Sequence, residues 1–239
     1  MITTSVWKEE CPVPVARLSL VETPYIDFEG KEHDDGEVIV LDVLAQPIAA
    51  LFTRLFAAGF PINKIRPLHE YSGNDDLSMQ DNNTSCFCFR NIQGTSTVSV
   101  HSYGVALDIN PLQNPYLTIE EEQGMIAAHP NGGWRYINRH NKKPGMVEEI
   151  VPLLSEHGLF EWGGRWTTPV DYQHFQTPRW LAELLAVLTT DDGRALLTAA
   201  VAQREKLSAA PSGDRVQALI DLYCRHKTEF FDKWLEYII

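Results

Sequence analysis

The sequence predicts an α+β fold: a small antiparallel sheet flanked by helices, followed by a helical C-terminal extension. Three observations carry that reading. Short β-branched and aromatic runs cluster in the middle of the chain, separated by polar turns. Apolar residues at spacings of three and four precede them, the mark of an amphipathic helix. From Arg179 onward the pattern is helical to the end.

Taken in order, residues 37–41 (EVIVL) read as a strand. Leu44, Ile48, Leu51, Leu55 and Phe56 then recur at helical spacing, with Gly59 as the stop and Phe60–Pro61 leading away. Residues 64–68 read as a second short strand. Residues 73–83 (GNDDLSMQDNN) read as a surface loop, and Asp75, Asp76 and Asp81 within it lack calcium-loop spacing, so they read as solvated acids. Residues 84–90, 97–101 and 105–110 form three further short strands, joined by links that favour antiparallel pairing between neighbours. Residues 111–139 read as irregular. A helix over 146–157 presents Val147, Ile150, Val151 and Leu154 on one face and closes at Gly158. Over 214–239, Val216, Leu219, Ile220, Tyr223, Phe230, Trp234, Leu235 and Ile238 make an apolar stripe. Such a stripe packs onto the preceding domain, or else forms a dimer or docks a partner.

A chain of 239 residues suits one well-buried domain, residues 1–178, with the extension at 179–239. Its 20 basic and 32 acidic residues leave a net charge of −12, and the basic residues are scattered, which argues against a nucleic-acid partner. The longest apolar region, 43–60, is broken by Gln46, Pro47, Thr53 and Arg54, so no membrane span is expected. Residues 1–20 show no signal peptide, and cytoplasmic placement is the default expectation, with release by lysis or a dedicated secretion route as the exceptions. Cys11, Cys86, Cys88 and Cys224 lack metal-type spacing, and Cys86 and Cys88 read as small buried residues. Serine-hydrolase, nucleotide-loop and dinucleotide-binding glycine patterns are missing.

The chemistry gathers in two blocks. His101 and Asp108 lie in SVHSYGVALDIN, and Asp171 and His174 in WTTPVDYQHFQ. Two histidines with one carboxylate suit a catalytic zinc whose fourth position stays open. Gly104 can turn the chain so that Asp108 comes back beside His101. Asp171, three residues before His174, is placed either to act as a general base or to orient the histidine ring. Trp162 and Trp166, near the Gly163–Gly164 turn, either line a substrate groove or belong to the core.

These residues carry a family resemblance. Ser99-x-His101-x-x-Gly104-x-Ala106-x-Asp108 resembles the SxHxxGxAxD signature of the VanY-like zinc D-Ala-D-Ala carboxypeptidases and L-Ala-D-Glu endopeptidases of the Hedgehog/DD-peptidase fold. Trp162-Gly163-Gly164-x-Trp166, followed by Asp171-x-x-His174-Phe175, is similar to the second signature of the same family. The similarity runs from about Tyr25 to Pro178 and leaves the C-terminal helices outside it. It implies Zn2+ held by His101, Asp108 and His174, with Asp171 as the catalytic base. It places Arg90 beside the scissile region, where its charge stabilises the oxyanion or clamps a terminal carboxylate, and gives Ser99 a substrate contact. The implied partner is a peptidoglycan stem peptide or muropeptide. Removal of D-alanine is the first expectation and cleavage between L-Ala and D-Glu the second; a zinc-bearing binding module is the non-catalytic rival.

Overall fold

A long antiparallel ribbon founds the molecule: β1 (Leu18–Ile26) pairs with β2 (Glu32–Leu41), joining Leu18 to Leu41 at one end and Ile26 to Glu32 at the other. The computed structural model describes residues 5–120, 124–206 and 213–238. Val38, Ile39, Val40 and Leu41 are all buried, which explains why this part of β2 is continuously apolar rather than alternating. Helix α1 (Ala45–Ala57) follows and buries Ile48, Leu51, Phe52 and Leu55, an i, i+3, i+4, i+7 stripe.

The remaining strands are short: β3 (Ala106–Asp108), β4 (Tyr116–Glu120), β5 (Met125–His129), β6 (Glu161–Trp162), β7 (Val170–Asp171) and β8 (His174–Gln176). They form two further sheets, ordered β3-β8-β6 and β5-β4-β7, and every strand pair is antiparallel. The helices are α2 (Asp75–Gln80), α3 (Val151–Glu156), α4 (Arg179–Val187), α5 (Thr190–Ala202), α6 (Gly213–Arg225) and α7 (Lys227–Ile238). The α+β class and the helical C-terminal region are as expected from sequence.

Several elements differ from the sequence reading, each for a physical reason. Strand β1 went unread because Thr23 occupies a buried position and Pro24 sits at a register shift in the ribbon. The strand expected over 64–68 reduces to one bridge, Ile65 to Thr84; Pro67 has no N–H to extend a ladder, and Leu68–Tyr71 coils into a 3-10 turn. The loop expected over 73–83 contains α2, capped by Asn74, whose Oδ1 accepts from the Leu77 N–H at 3.1 Å. Asparagine and aspartate there are helix-starting residues, and Asp75 and Asp76 sit where the helix dipole favours them.

Residues 84–90 and 97–101 run with isolated bridges only, Ser85 to Asp108 and Asn91 to Val98, and Val100–Tyr103 is a 3-10 helix. Residues 111–139 hold the β4–β5 hairpin; its Ile119, Met125 and Ile126 are exposed, so burial leaves no alternating signature. The helix expected from 146 begins at Val151, with Pro152 in its first turn.

The C-terminal stripe splits between α6 and α7 at His226. Val216, Leu219, Phe230 and Trp234 join the same buried cluster as β2 and α1; Leu235 and Ile238 have side chains outside the described residues. Arg17 ties the β1–β2 ribbon to the end of α4, donating to Asp42 at 2.7 and 2.9 Å and to the Leu188 carbonyl at 2.6 Å. Among the described residues no helix is long and apolar enough to cross a membrane.

Candidate metal centre

Three elements bring the proposed ligands together. His101 sits in the 3-10 helix Val100–Tyr103, whose N-terminus is capped by Ser99: its Oγ accepts from the His101 N–H at 3.3 Å. Gly104 ends that helix at φ +70°, and a Cβ there would lie 2.6 Å from the Leu41 backbone nitrogen. Only glycine combines that conformation with that closeness to β2. The turn does not pair 97–101 with 105–110, as the sequence suggested. It delivers Asp108 onto β3, whose partner is β8, with Asp108 directly opposite His174. Directly opposed side chains on one face of an antiparallel pair are neighbours. Leu107 and Phe175, the intervening residues, are fully buried in the core on the other face.

The three donor groups converge. His101 Nε2 lies 3.1 Å from His174 Nδ1 and 3.2 Å from an Asp108 oxygen, and His174 Nδ1 lies 2.9 Å from the other Asp108 oxygen. All three residues are buried. Ligands at about 2.0–2.1 Å around tetrahedral zinc stand roughly 3.3 Å apart, so the triangle needs little adjustment to accept the ion. Two ring nitrogens facing each other can share only one proton, whereas a cation satisfies both of them and the carboxylate. The residues fit zinc.

The outer ring nitrogens are held as well. The Cys86 carbonyl faces His101 Nδ1 at 2.5 Å, and Gln176 Oε1 faces His174 Nε2 at 2.8 Å. Gln176 in turn donates to Glu161 at 2.6 Å, its cross-strand neighbour on β6. Such outer contacts fix which nitrogen points inward. Asp171 is not among the hydrogen-bond partners of His174, so the orienting position that sequence left open to it is filled by Gln176.

Charge in the protein alone is strongly perturbed. Burial opposes ionisation of Asp108, but the imidazoles of His101 and His174 outweigh it and hold the carboxyl far below the usual range. Burial works against the His174 imidazolium too, yet its bond to Asp108 pushes the pKa up to about 9. Asp171 is raised to about 7, chiefly by burial and further by the Asp108 charge, with His174 acting in the opposite direction. Its Oδ1 is buried without a hydrogen-bond partner. Asp171 can approach because Gly163 lacks a side chain: a Cβ there would lie 2.5 Å from the Asp171 carbonyl oxygen.

A cleft of roughly 290 Å³ opens onto the trio, and Arg90, Ser99, Trp166 and Asp171 all line it. Trp166 tilts over His174 with ring centroids 5.3 Å apart. Trp162 is not among the lining residues. It stacks on Phe175 at 6.1 Å and donates its indole N–H to the Tyr172 carbonyl, the core alternative of the sequence reading. Arg90 donates to Asp75 at 2.8 Å, while its Nε is buried without a partner. The acids of 73–83 are therefore not simply solvated: Asp75 pairs with Arg90, and Asp81 pairs with Lys64 and accepts from Tyr71.

Sequence reasoning missed Gln176, Glu161, Asp75 and Arg179, the last of which also lines the cleft. Gln176 could have been found, since it lies two residues beyond His174 on a strand and so on the same face. The Cys86 carbonyl carries no sequence signal at all. Cys86 and Cys88 are buried, as expected. Among the described residues, His101, Asp108 and His174 form the group able to hold a metal, and His69, His129, His140 and His157 take no part in it.

Residues 93–177 match the family model described as D-alanyl-D-alanine carboxypeptidase, a span that includes both signature blocks but stops short of Arg90 on one side and Arg179 on the other. The match likens this part of the chain to the peptidases of that family. No curated protein and no solved structure matches it.

Proposed function

We propose that the protein is a zinc-dependent peptidase that removes the terminal D-alanine from peptidoglycan stem peptides. The observation that carries this reading is the juxtaposition of a buried His101–Asp108–His174 trio with Asp171, a carboxylate that lines the same cleft. Zinc held by the trio would lower the pKa of water towards ~7 and polarise the scissile carbonyl. The Asp171 carboxylate accepts a proton from the attacking water as the new C–O bond forms. It then returns that proton to the amine nitrogen as the C–N bond breaks, leaving a carboxylate and free D-alanine. Burial, the chief cause of the raised Asp171 pKa in the metal-free protein, favours uptake of that proton.

Arg90, which lines the cleft, supplies positive charge where the carbonyl oxygen becomes negative. Its bond to Asp75 keeps the guanidinium in the cleft wall. Ser99 positions His101 through its cap and retains a hydroxyl hydrogen for the substrate. Trp166 forms an apolar wall beside His174.

Mass spectrometry of defined muropeptides incubated with the zinc-loaded protein tests the reading. Loss of one terminal alanine, dependent on zinc and absent in Asp171→Ala, is expected. Cleavage between L-Ala and D-Glu would replace the carboxypeptidase assignment with an endopeptidase. No cleavage by folded, zinc-bound protein would leave the non-catalytic binding module as the better account.

A further inference from the structure

Two arginines line the cleft, and they differ in one respect. Arg90 is neutralised by Asp75 at 2.8 Å. Arg179, in the first turn of α4, makes one hydrogen bond, from Nη2 to the Val98 carbonyl at 2.9 Å, and no carboxylate of the described residues pairs with it. It is only partly exposed, in a wall it shares with Ser99, the residue after Val98. The single bond to Val98 fixes the guanidinium while leaving most of its five N–H donors free. In a chain with a net charge of −12, an arginine in a cleft wall with no carboxylate paired to it is a place where an anion can bind.

Asp75, Asp76, Asp108 and Asp171 also line the cleft, but their charges are not all free. Asp75 is spent on Arg90, and Asp108 lies within the His101–His174 trio. Asp76 and Asp171 remain, and neither pairs with Arg179, whose guanidinium is left to meet an anion. A peptide offers one as a carboxylate, whose two oxygens match the guanidinium fork.

We propose that Arg179 is a specificity-determining residue that binds the free C-terminal carboxylate of the peptide, so that α4, which begins just beyond the family match, completes the substrate site. The proposal rests on the peptidase reading above. It makes the enzyme selective for a terminal acid over the corresponding terminal amide, because the amide cannot offer the paired anionic oxygens. Hydrogen bonds to charged groups contribute about 1.5–3 kcal/mol, which corresponds to roughly 10- to 100-fold in selectivity.

The test compares an N-acylated peptide ending in D-Ala-D-Ala with its C-terminal carboxamide, using zinc-loaded wild type, Arg179→Gln and Arg179→Lys. Rates are measured as kcat and KM. Binding of both peptides is measured separately by calorimetry on the zinc-loaded Asp171→Asn protein with and without Arg179→Gln. The expected result is a wild-type preference for the acid of about 10- to 100-fold, expressed mainly in KM. In Arg179→Gln that ratio should fall towards one, in hydrolysis and in binding alike, and Arg179→Lys should restore part of it. Loss of the Val98 bond alone would weaken acid and amide equally, leave the ratio intact and overturn the proposal. Turnover by wild type with equal rates on acid and amide would overturn it too, while the peptidase reading stood. No turnover and no binding of either peptide would remove both.

Discussion

The two sides of the cleft are built on different principles. On the metal side, every ligand is fixed by backbone pairing or a cap, and its outer atoms are already bonded: Asp108 opposite His174 in the β3–β8 ladder, His101 against the Cys86 carbonyl, His174 against Gln176. On the other side, Arg90 and Arg179 are held by single side-chain bonds, to Asp75 and to Val98, and keep donors free. Satisfied, buried groups serve a cation that must be bound in one geometry. Groups with donors in reserve serve a substrate that comes and goes. The lesson is that a binding surface is recognised by what it leaves unpaired.

Breaking the metal side should have the largest effect. Asp108→Ala is expected to abolish zinc retention and hydrolysis together, because it leaves two buried imidazoles facing each other at 3.1 Å with no anion between them. Metal analysis of the purified variant, beside its thermal unfolding, checks this. Gln176→Ala should be milder: loss of the bond that orients His174 should weaken zinc affinity about 10- to 100-fold with the fold retained. Competition against a chelator of known strength measures the shift, and unchanged affinity would mean that the strand alone fixes the ring.

Proton competition sharpens the same contrast. The pKa of His174 is raised to about 9, above its ordinary value near 6.5, so at neutral pH the imidazole holds a proton that zinc must displace. Apparent zinc affinity should therefore rise by about tenfold per pH unit as pH climbs towards 9, then level off. In the zinc-free protein the stabilisation from the His174–Asp108 pair is fully present below ~6.5 and is lost as pH rises through 9. The gain in melting temperature on adding zinc should widen across that window. On the opposite side of the cleft, Asp75→Ala should have the smallest effect: it loosens Arg90, lowering kcat by about threefold with zinc content unaffected, as steady-state kinetics and metal analysis would show.

The metal side was legible in the sequence because its requirements are local and chemical. His101, Gly104, Asp108, Asp171 and His174 are each residue types whose spacing carries meaning; the structure brings the two histidines and two aspartates into one cleft and sets Gly104 against β2. The route was not legible. Pairing of β3 with β8 joins segments 66 residues apart, and no local pattern names Asp108's partner. Helix α2 was hidden because Asn74, Asp75 and Asp76 serve equally well in a turn or at a helix start. The Arg90 wall was half visible: Arg90 itself stood out, but its counter-charge lay in the segment read as loop. Trp162 shows the opposite failure. Its proximity in sequence to Trp166 suggested a shared role, whereas alternation and the Gly163–Gly164 turn send one ring to Phe175 and the other to His174.

The most direct test of the central claim is the zinc content of purified Asp171→Ala, measured alongside its turnover of a D-Ala-D-Ala muropeptide. The account predicts one zinc per chain and a rate reduced by about 10²–10⁴, since His101, Asp108, His174 and their outer contacts do not depend on Asp171. Loss of zinc in step with activity would contradict it, and would make Asp171 part of the metal's support rather than the base.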